Sequence, residues 1–390
     1  MVLTSKKRLI ILIAGLIIFN LLSILNPAMA QPQPDVKSPS AILMDAGTGK
    51  VLFEKNAHEK LEPASITKIM TLLLAFEALD SGKVKMSDTI KISERAWKTG
   101  GSQVFLGPGE EQTFETLLKC ITIASANDAS VAVAEYLGGS VEGFVKMMND
   151  RAKALGMKNT NFVNPHGLSD PNHYTSAYDV ALMAKELVKH PKVFEWSTVW
   201  MDYLEHTDKK RDATMLANTN KLLGKYEGLD GLKTGFHQKA GFCFAGTAKR
   251  GDFRLISVVL NAENSKQRFE DTIKLLDYGF GHYDSIVIAK KGSVQRAIPV
   301  EKGVLKEVNI VAASDLSILT EKGKEQGIST RVNLPDKLFA PLEKGQKVGI
   351  LIAEQDGRTV GQTDLVVSED VKKAGMFDIL KRVLARWINF

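Results

Sequence analysis

Hydrophobic and polar positions follow two different rhythms along the chain. Residues 40–54 hold two short apolar runs on either side of a turn-forming stretch, a pattern that predicts a β-hairpin. Apolar residues then recur at helical spacing in four segments, residues 65–80, 114–137, 141–155 and 178–189. Residues 231–261 return to strand-like runs, and residues 266–278 predict a further helix. Strands on both sides of a helical middle predict an α+β domain, an antiparallel sheet flanked by helices.

The pattern changes after residue 282. Short alternating runs such as EVNIVAA, KVGILIA and TVGQTDLVV are separated by glycine, proline and charged turns. This pattern predicts a small all-β domain over residues 283–370. We therefore expect the α+β domain to cover residues 31–282.

The first thirty residues are predicted to be a secretory signal peptide. Three cationic residues, 6–8, precede an apolar run over residues 9–25, and the small-x-small site Ala28-Met29-Ala30 follows. The alternative is an uncleaved membrane anchor, because the run approaches the length that spans a bilayer. Either interpretation places the rest of the chain outside the cytoplasm, in the cell envelope at the outer face of the cytoplasmic membrane.

Residues 371–390 predict an amphipathic helix with a basic polar face. The apolar half of its helical wheel carries Met376, Ile379, Leu380, Val383, Leu384, Trp387 and Ile388. The polar half carries Asp378, Lys381, Arg382, Arg386 and Asn389. Such a helix suits the plane of an anionic membrane surface. The alternative is a terminal helix packed on its own domain.

Composition narrows the class of protein. The 390 residues are 44% hydrophobic and 25% charged with a net charge of +6, which excludes wholesale disorder, collagen and a polytopic membrane protein. Without residues 1–30 the net charge is +3, too even to indicate nucleic-acid binding. Cys120 and Cys243 are the only cysteines, so a disulfide-dense scaffold and a four-thiolate zinc site are excluded. We interpret them as small buried hydrophobic residues, with one disulfide bridge as the alternative.

The first candidate for chemistry is the only Ser-x-x-Lys in the chain, Ser65 to Lys68. It opens a predicted helix that is apolar nearly all round, where a lysine is unfavourable unless it is paired or functional. Residues three apart share a helix face, so the amine can reach the hydroxyl and serve as its base. The alternative is Ser65 as a helix cap with Lys68 reaching outward to solvent.

Two further polar motifs interrupt apolar segments. Ser125-Ala126-Asn127 separates two helical runs, which suggests a break whose side chains point into a cleft; a plain capped connection is the alternative. Lys233-Thr234-Gly235 lies on a predicted strand, where a cation and a hydroxyl can hold a substrate carboxylate. The same triplet at residues 98–100 has no strand pattern behind it, and we interpret it as a surface loop.

These three motifs, in this order in an exported chain, resemble the penicillin-recognising serine enzymes. The surrounding sequence, including GGSQVFLGPGE, ALGMKNTNFVNPHGLSD and DGLKTGFHQKAGFCFAGTAK, resembles the D-alanyl-D-alanine carboxypeptidases, the low-molecular-mass penicillin-binding proteins. The resemblance covers essentially the whole mature chain. It implies a serine D,D-peptidase domain with an antiparallel sheet and a helical subdomain, followed by the β-rich domain and a membrane-anchoring terminal helix. The implied reaction removes the terminal D-alanine from peptidoglycan stem pentapeptides.

The resemblance also implies roles for the first two motifs. Ser65 would attack the carbonyl between the two terminal D-alanines and form an acyl-enzyme, and Lys68 would take the proton of its hydroxyl. Ser125 would help to pass a proton to the departing amine. Asn127 would position the substrate and Lys68. Penicillins would acylate the same serine and act as inhibitors.

The remaining implied roles concern the strand and a distant arginine. Lys233 would supply positive charge near the second motif, Thr234 would bind the terminal carboxylate, and Gly235 would line the groove. Arg268 matches a family arginine that approaches the same carboxylate. The backbone amides of Ser65 and of Phe236 would form the oxyanion hole.

One position departs from the family pattern. Many relatives carry histidine directly after the Lys-Thr-Gly, whereas this chain has Phe236 there and His237 next. The backbone amide donor survives the change, but the side-chain contacts must differ.

Competing functions are distinguished by further sequence features. A class A β-lactamase would need a Glu-x-x-Leu-Asn segment between the second and third motifs, where this chain has NPHGLSD. A D,D-endopeptidase usually lacks the β-rich domain, and a non-catalytic cell-wall binding protein would be expected to carry a broken motif. A metalloprotease would need His-Glu-x-x-His, which is absent, and His166 and His173 are expected to be structural or substrate-adjacent. We expect no metal and no cofactor, and the sequence leaves the oligomeric state open.

Overall fold

The computed structural model describes residues 33–208, 210–376 and 378. The described residues from Asp35 onward belong to one compact unit. In the described residues the helices are α1 (Lys68–Asp80), α2 (Glu94–Trp97), α3 (Phe114–Ala124), α4 (Asn127–Gly138), α5 (Val141–Ala154), α6 (Ala177–Leu187), α7 (Val193–Ser197) and α8 (Ser265–His282), and a 3₁₀ turn (Ala64–Thr67) directly precedes α1.

The strands follow the same chain order. The first nine are β1 (Ser40–Asp45), β2 (Val51–Lys55), β3 (Thr89–Lys91), β4 (Glu111–Thr113), β5 (Met201–Leu204), β6 (Thr214–Ala217), β7 (Leu229–His237), β8 (Gly241–Arg250) and β9 (Phe253–Ala262). The other eight are β10 (Tyr283–Ala289), β11 (Val294–Glu301), β12 (Glu307–Ala312), β13 (Leu316–Glu321), β14 (Ile328–Asn333), β15 (Leu338–Phe339), β16 (Lys347–Gln355) and β17 (Arg358–Val367).

A five-stranded antiparallel sheet of order β2-β1-β9-β8-β7 organises the described part of the first domain. Both of its faces are covered, so the inner strand β1 is buried at every position. Successive side chains of a strand point to opposite faces. Ile42 and Met44 accordingly join the core shared with the helices, whereas Ala41 and Leu43 join the core beneath α8. The predicted hairpin is β1–β2, and the predicted strands after residue 231 are β7, β8 and β9.

Helix α1 lies inside the helical part of the domain. Ten of its thirteen residues are buried, as expected for a segment that is apolar nearly all round. Its predicted start at residue 65 differs in detail, because residues 64–67 form a 3₁₀ turn before the α-helix begins.

The helical pattern over residues 114–137 is divided into α3 and α4. The predicted break is present: Ser125 has a left-handed backbone (φ 62°, ψ 34°), which ends α3, and α4 begins at Asn127. The short strands β3 to β6 and the short helices α2 and α7 were not predicted. They are three to five residues long, too short for a period to emerge from the sequence.

The second domain is all-β in its described residues. A six-stranded sheet of order β14-β16-β17-β12-β11-β15 lies beside a two-stranded sheet, β10-β13. Alternating side chains such as Ile298, Val300, Val308 and Ile310 form its separate apolar core. This agrees with the alternation that predicted a β-rich domain.

The two chain ends were given special roles by the sequence. The predicted signal peptide lies outside the described residues, as do residues 377 and 379–390 of the predicted terminal helix. Residues before these continue the β-rich domain: Val371 is buried and bridges to Leu342, and Lys373 bridges to Gly303. Residues 371–374 are therefore not part of a helix. Within the described residues no helix is long and apolar enough to cross a membrane.

Candidate active site

The turn that carries Ser65 is held in an unusual conformation. Ala64, just before it, has a positive φ of 47°, a region that non-glycine residues seldom adopt. Two glycines press against this turn. A Cβ on Gly167 would lie 1.8 Å from the carbonyl oxygen of Ala64, and one on Gly235 would lie 3.1 Å from the amide nitrogen of Ser65. No larger residue fits at either position without moving the turn.

A histidine fixes the same turn through a threonine. The Thr67 hydroxyl donates to the Ala64 carbonyl (2.9 Å) and lies 2.7 Å from Nε2 of His173. Since the hydroxyl proton is used, His173 Nε2 must be the donor, and its Nδ1 accepts from the backbone amide of Val163 (3.1 Å). Both ring nitrogens are thus satisfied by the neutral imidazole. Burial lowers the pKa of His173 to about 4, which agrees with this neutral form.

Lys68 is completely buried, and its amine lies beside the serine. The Nζ atom is 3.0 Å from Ser65 Oγ, 2.6 Å from Asn127 Oδ1 and 2.7 Å from the carbonyl oxygen of His166. Burial holds the pKa of Lys68 well below its ordinary value, and the positive charge of Lys233 lowers it further. The structure therefore favours a neutral amine, which can accept a proton.

The break between α3 and α4 places Asn127 against Lys68. Asn127 accepts from Lys68 with its side-chain oxygen and donates from Nδ2 to the carbonyl of Gly100 (2.7 Å). Its backbone amide donates to the carbonyl of Ser102 (2.8 Å). Ser125 is 5% exposed in its left-handed position. The loop after α2 thus packs directly on the second motif.

The Lys-Thr-Gly motif lies on the edge strand β7, as predicted. The Lys233 amine is buried and donates to the carbonyl of Thr234 (3.1 Å). Burial and the nearby charge of Arg268 lower the pKa of Lys233 to about 7. The Thr234 hydroxyl pairs with the hydroxyl of Thr219, 2.5 Å away. The second Lys-Thr-Gly, residues 98–100, follows α2 as a loop, as predicted, with Lys98 exposed.

Arg268 donates hydrogen bonds to the backbone of β7, the strand that carries the third motif, and of its neighbour β8. Its guanidinium is nearly buried and donates to the carbonyls of Gly235 (3.1 Å) and Cys243 (3.2 Å), which belong to neighbouring strands. These contacts fix the backbone of the third motif, and the implied approach of Arg268 to the substrate carboxylate stays a prediction. Phe236 is 56% exposed and stacks on Phe242 with ring centroids 4.2 Å apart.

The structure brings all three motifs together, since Asn127 contacts Lys68 and Gly235 packs on the turn that carries Ser65. The long-range contacts at Lys68 join residues 59 and 98 positions apart. Sequence reasoning missed the carbonyl of His166, the hydroxyl of Thr219 and the Thr67–His173 pair. A backbone carbonyl carries no sequence signal, because every residue has one. The only available hint was the position of both histidines around one loop.

Both cysteines are free and fully buried, which agrees with their interpretation as small hydrophobic residues. Burial raises the pKa of both thiols, that of Cys243 to about 11. Neither is placed for nucleophilic chemistry.

Residues 27–264 match the D-alanyl-D-alanine carboxypeptidase family, and residues 283–373 match the C-terminal domain of penicillin-binding protein 5. The chain belongs to this carboxypeptidase family. It is 46% identical over 356 residues to D-alanyl-D-alanine carboxypeptidase DacF of Bacillus subtilis, covering 91% of each chain. Family membership confirms the predicted fold of the two domains and the predicted serine-type carboxypeptidase activity, whereas the predicted terminal helix stays a prediction. The alternative functions are not favoured.

Solved structures agree with this assignment to the carboxypeptidase family. The crystal structure of penicillin-binding protein 5 from Haemophilus influenzae is 32% identical, with a TM-score of 0.69 over 88% of this chain and 99% of that one. Penicillin-binding protein D2 from Listeria monocytogenes, in its ampicillin-bound form, is 33% identical with a TM-score of 0.56. That match covers 64% of this chain and 100% of the Listeria chain. The shorter Listeria match leaves over a third of this chain uncovered.

Proposed function

We propose that the carboxypeptidase reaction proceeds through an acyl-enzyme on Ser65, with Lys68 as its base. The observation that carries this is the buried Lys68 amine, 3.0 Å from Ser65 Oγ. As the oxygen attacks the carbonyl carbon between the two terminal D-alanines, its proton passes to the neutral amine. The amide oxygen of Asn127 and the carbonyl of His166 hold that amine in place in both charge states.

The oxyanion of the tetrahedral intermediate is assigned to two backbone amides, those of Ser65 and Phe236. Support comes from the close packing of β7 on the 3₁₀ turn, where a Cβ at Gly235 would lie 3.1 Å from Ser65 N. Arg268 fixes the carbonyl of Gly235, and so the orientation of the next amide. Preorganised donors of this kind stabilise charge that develops only in the transition state.

The departing D-alanine requires a proton for its amine and a binding site for its carboxylate. Ser125 relays a proton to its amine as the carbon–nitrogen bond breaks, and a water molecule then hydrolyses the acyl-enzyme. Thr234 binds the terminal carboxylate, aided by the positive charge of Lys233 when that amine is protonated. Thr219 orients the Thr234 hydroxyl through their mutual hydrogen bond. Arg268 contributes to carboxylate binding at a distance, through its positive charge and through its hydrogen bonds to the carbonyls of Gly235 and Cys243.

The substrates proposed for this groove are peptidoglycan stem peptides, with β-lactams as inhibitors that acylate Ser65. The bound ampicillin of the Listeria relative supports the second assignment. We further propose that residues 1–30 export the chain and that the terminal basic amphipathic segment places it at the outer face of the cytoplasmic membrane. The cell-wall substrate of the family agrees with this location.

Two assays test the proposal. Labelling by a fluorescent penicillin and release of D-alanine from diacylated Lys-D-Ala-D-Ala should both be lost in Ser65→Ala, and acylation should fall at least about 1,000-fold in Lys68→Ala. The second Lys-Thr-Gly supplies a matched control for the third motif: Lys233→Ala should lose activity, while Lys98→Ala should retain it. Wild-type rates in Lys68→Ala, or equal losses in the two Lys-Thr-Gly variants, would remove these assignments.

A further inference from the structure

A bulky aromatic residue is displayed in a strained conformation beside the groove. Phe105 is 62% exposed and has a left-handed backbone with φ 58°. That region is unfavourable for a residue with a large side chain. Trp97 is 46% exposed, and the two rings line the same cavity of about 590 Å³. A cavity of this size suits a small ligand.

The surrounding residues hold Phe105 in this conformation. The backbone amides on either side of it, those of Val104 and Leu106, both donate to Oδ2 of Asp128 at 3.1 Å. Asp128 is 1% exposed and directly follows Asn127 in α4. On the outer side, Arg211 donates to the carbonyl of Phe105 and is anchored to Glu110 (3.0 Å). The backbone that carries the ring is thus fixed by Asp128, the residue next to Asn127 of the second motif.

The cavity also lies within reach of a substrate bound at the serine. Gly101, in the same loop, packs against the side-chain amide of Asn127. Phe105 lies four positions after Gly101, so the Cα atoms of these two residues are at most about 14 Å apart. A stem pentapeptide carries four residues between its sugar and the bond that is cut, and when extended these also span about 14 Å.

We propose that this cavity binds the N-acetylated sugar that carries the stem peptide, an inference that rests on the proposed function. Sugar rings present apolar C–H faces that pack on exposed aromatic rings, and polar rims that accept and donate hydrogen bonds. Phe105 and Trp97 supply the faces. Gln103, Asp208 and Arg211 line the same cavity and supply polar partners for hydroxyl and acetamido groups.

The test compares three substrates: diacylated Lys-D-Ala-D-Ala, a sugar-free pentapeptide, and a disaccharide pentapeptide. Phe105→Ala and Trp97→Ala should each lower kcat/KM for the disaccharide pentapeptide by about 3- to 10-fold, mainly through KM. The two sugar-free substrates should change by less than about 2-fold. Trp200→Ala is the matched control, because Trp200 is 55% exposed on a different surface element and should leave all three rates unchanged.

A further variant separates loss of the ring from loss of the loop. Phe105→Gly removes the ring while suiting the left-handed backbone, so it should fold, retain penicillin labelling and show the same selective loss. Equal loss on the sugar-free pentapeptide would overturn the proposal in favour of a peptide site. No loss on any substrate would overturn it entirely. Failure of the proposed function is distinguishable, because wild-type protein would then release no D-alanine even from the tripeptide.

Discussion

Gly235 is the position where the structure allows the sharpest prediction. It lies on β7 at the closest approach of that strand to the nucleophile turn. A Cβ added there would lie 2.9 Å from the carbonyl oxygen of Pro63, 3.1 Å from the amide nitrogen of Ser65 and 3.2 Å from the Cβ of Ala64. All three partners belong to one backbone turn, so none can rotate out of the way. In Gly235→Ala the strand and the turn must move apart.

The magnitude follows from those three contacts. Forcing one methyl group into a packed site costs about 1–3 kcal/mol, which lowers Tm by a few degrees in a domain of this size. The effect on catalysis should be larger than the effect on stability. Separation of the turn from the strand displaces the two proposed oxyanion donors relative to each other, and loss of one such donor costs about 100- to 1,000-fold. We therefore expect acylation by a fluorescent penicillin to slow about 100-fold.

The measurement needs a control substitution at a glycine that lies away from the nucleophile turn. Gly281 lies near the end of α8 with no atom within 4 Å of an added Cβ, so Gly281→Ala should acylate at the wild-type rate and keep or raise Tm. Acylation rates from stopped-flow fluorescence and Tm from circular dichroism would be compared for both variants. A Gly235→Ala protein that acylates as fast as wild type would show that the strand and turn do not form the proposed donor pair.

Other predictions use titration, hydrogen bonding and burial. Acylation should rise with pH through the lowered pKa of Lys68, far below the ordinary lysine value of 10.5, because only the neutral amine accepts a proton. The pKa of Lys233 falls to about 7 on folding, so above pH 7 the unfolded wild-type protein binds more protons than the folded protein, and its stability rises with pH. Lys233→Met lacks this titration. Any excess of its Tm over that of wild type should therefore shrink between pH 7 and 10 in thermal unfolding. His173→Gln keeps one donor and one acceptor and should acylate within about 3-fold of wild type, while His173→Phe should lose about 10-fold or more; equal rates in both would contradict the positioning role. A thiol reagent should label Cys120 and Cys243 only after unfolding, and rapid native labelling would contradict their burial.

Much of the fold was predictable because its patterns are local. The all-round apolar helix after Ser65 indicated burial, and α1 is the buried helix of the domain. The polar tripeptide at residues 125–127 indicated a break, because a helix end needs such residues. Alternation after residue 282 indicated β structure. The short hairpin β5–β6 was missed, because strands of four residues carry almost no periodicity.

The site was predictable only in part. Pairing of Ser65 with Lys68 follows from a spacing of three residues in a helical turn, and order along the chain supported the other two motifs. Arg268 shows the limit: the resemblance implied an approach to the substrate carboxylate, which stays a prediction, and nothing in the sequence indicated its hydrogen bonds to the carbonyls of Gly235 and Cys243. Which acceptor an arginine meets depends on the packing of its helix against the sheet, and the sequence does not encode that directly.

The sequence by itself determined which groups are available: a hydroxyl and an amine one turn apart, an amide at a helix start, and a cation on a strand. Tertiary structure alone decided the lowered pKa of Lys68 and the shape of the nucleophile turn. The pKa of the amine is lowered by burial and by a second cation, Lys233, 165 positions further along the chain. The turn is fixed by Gly167 and Gly235, which only folding brings against it. Desolvation and steric contact depend on what surrounds an atom in space, so they exist only once the chain has packed.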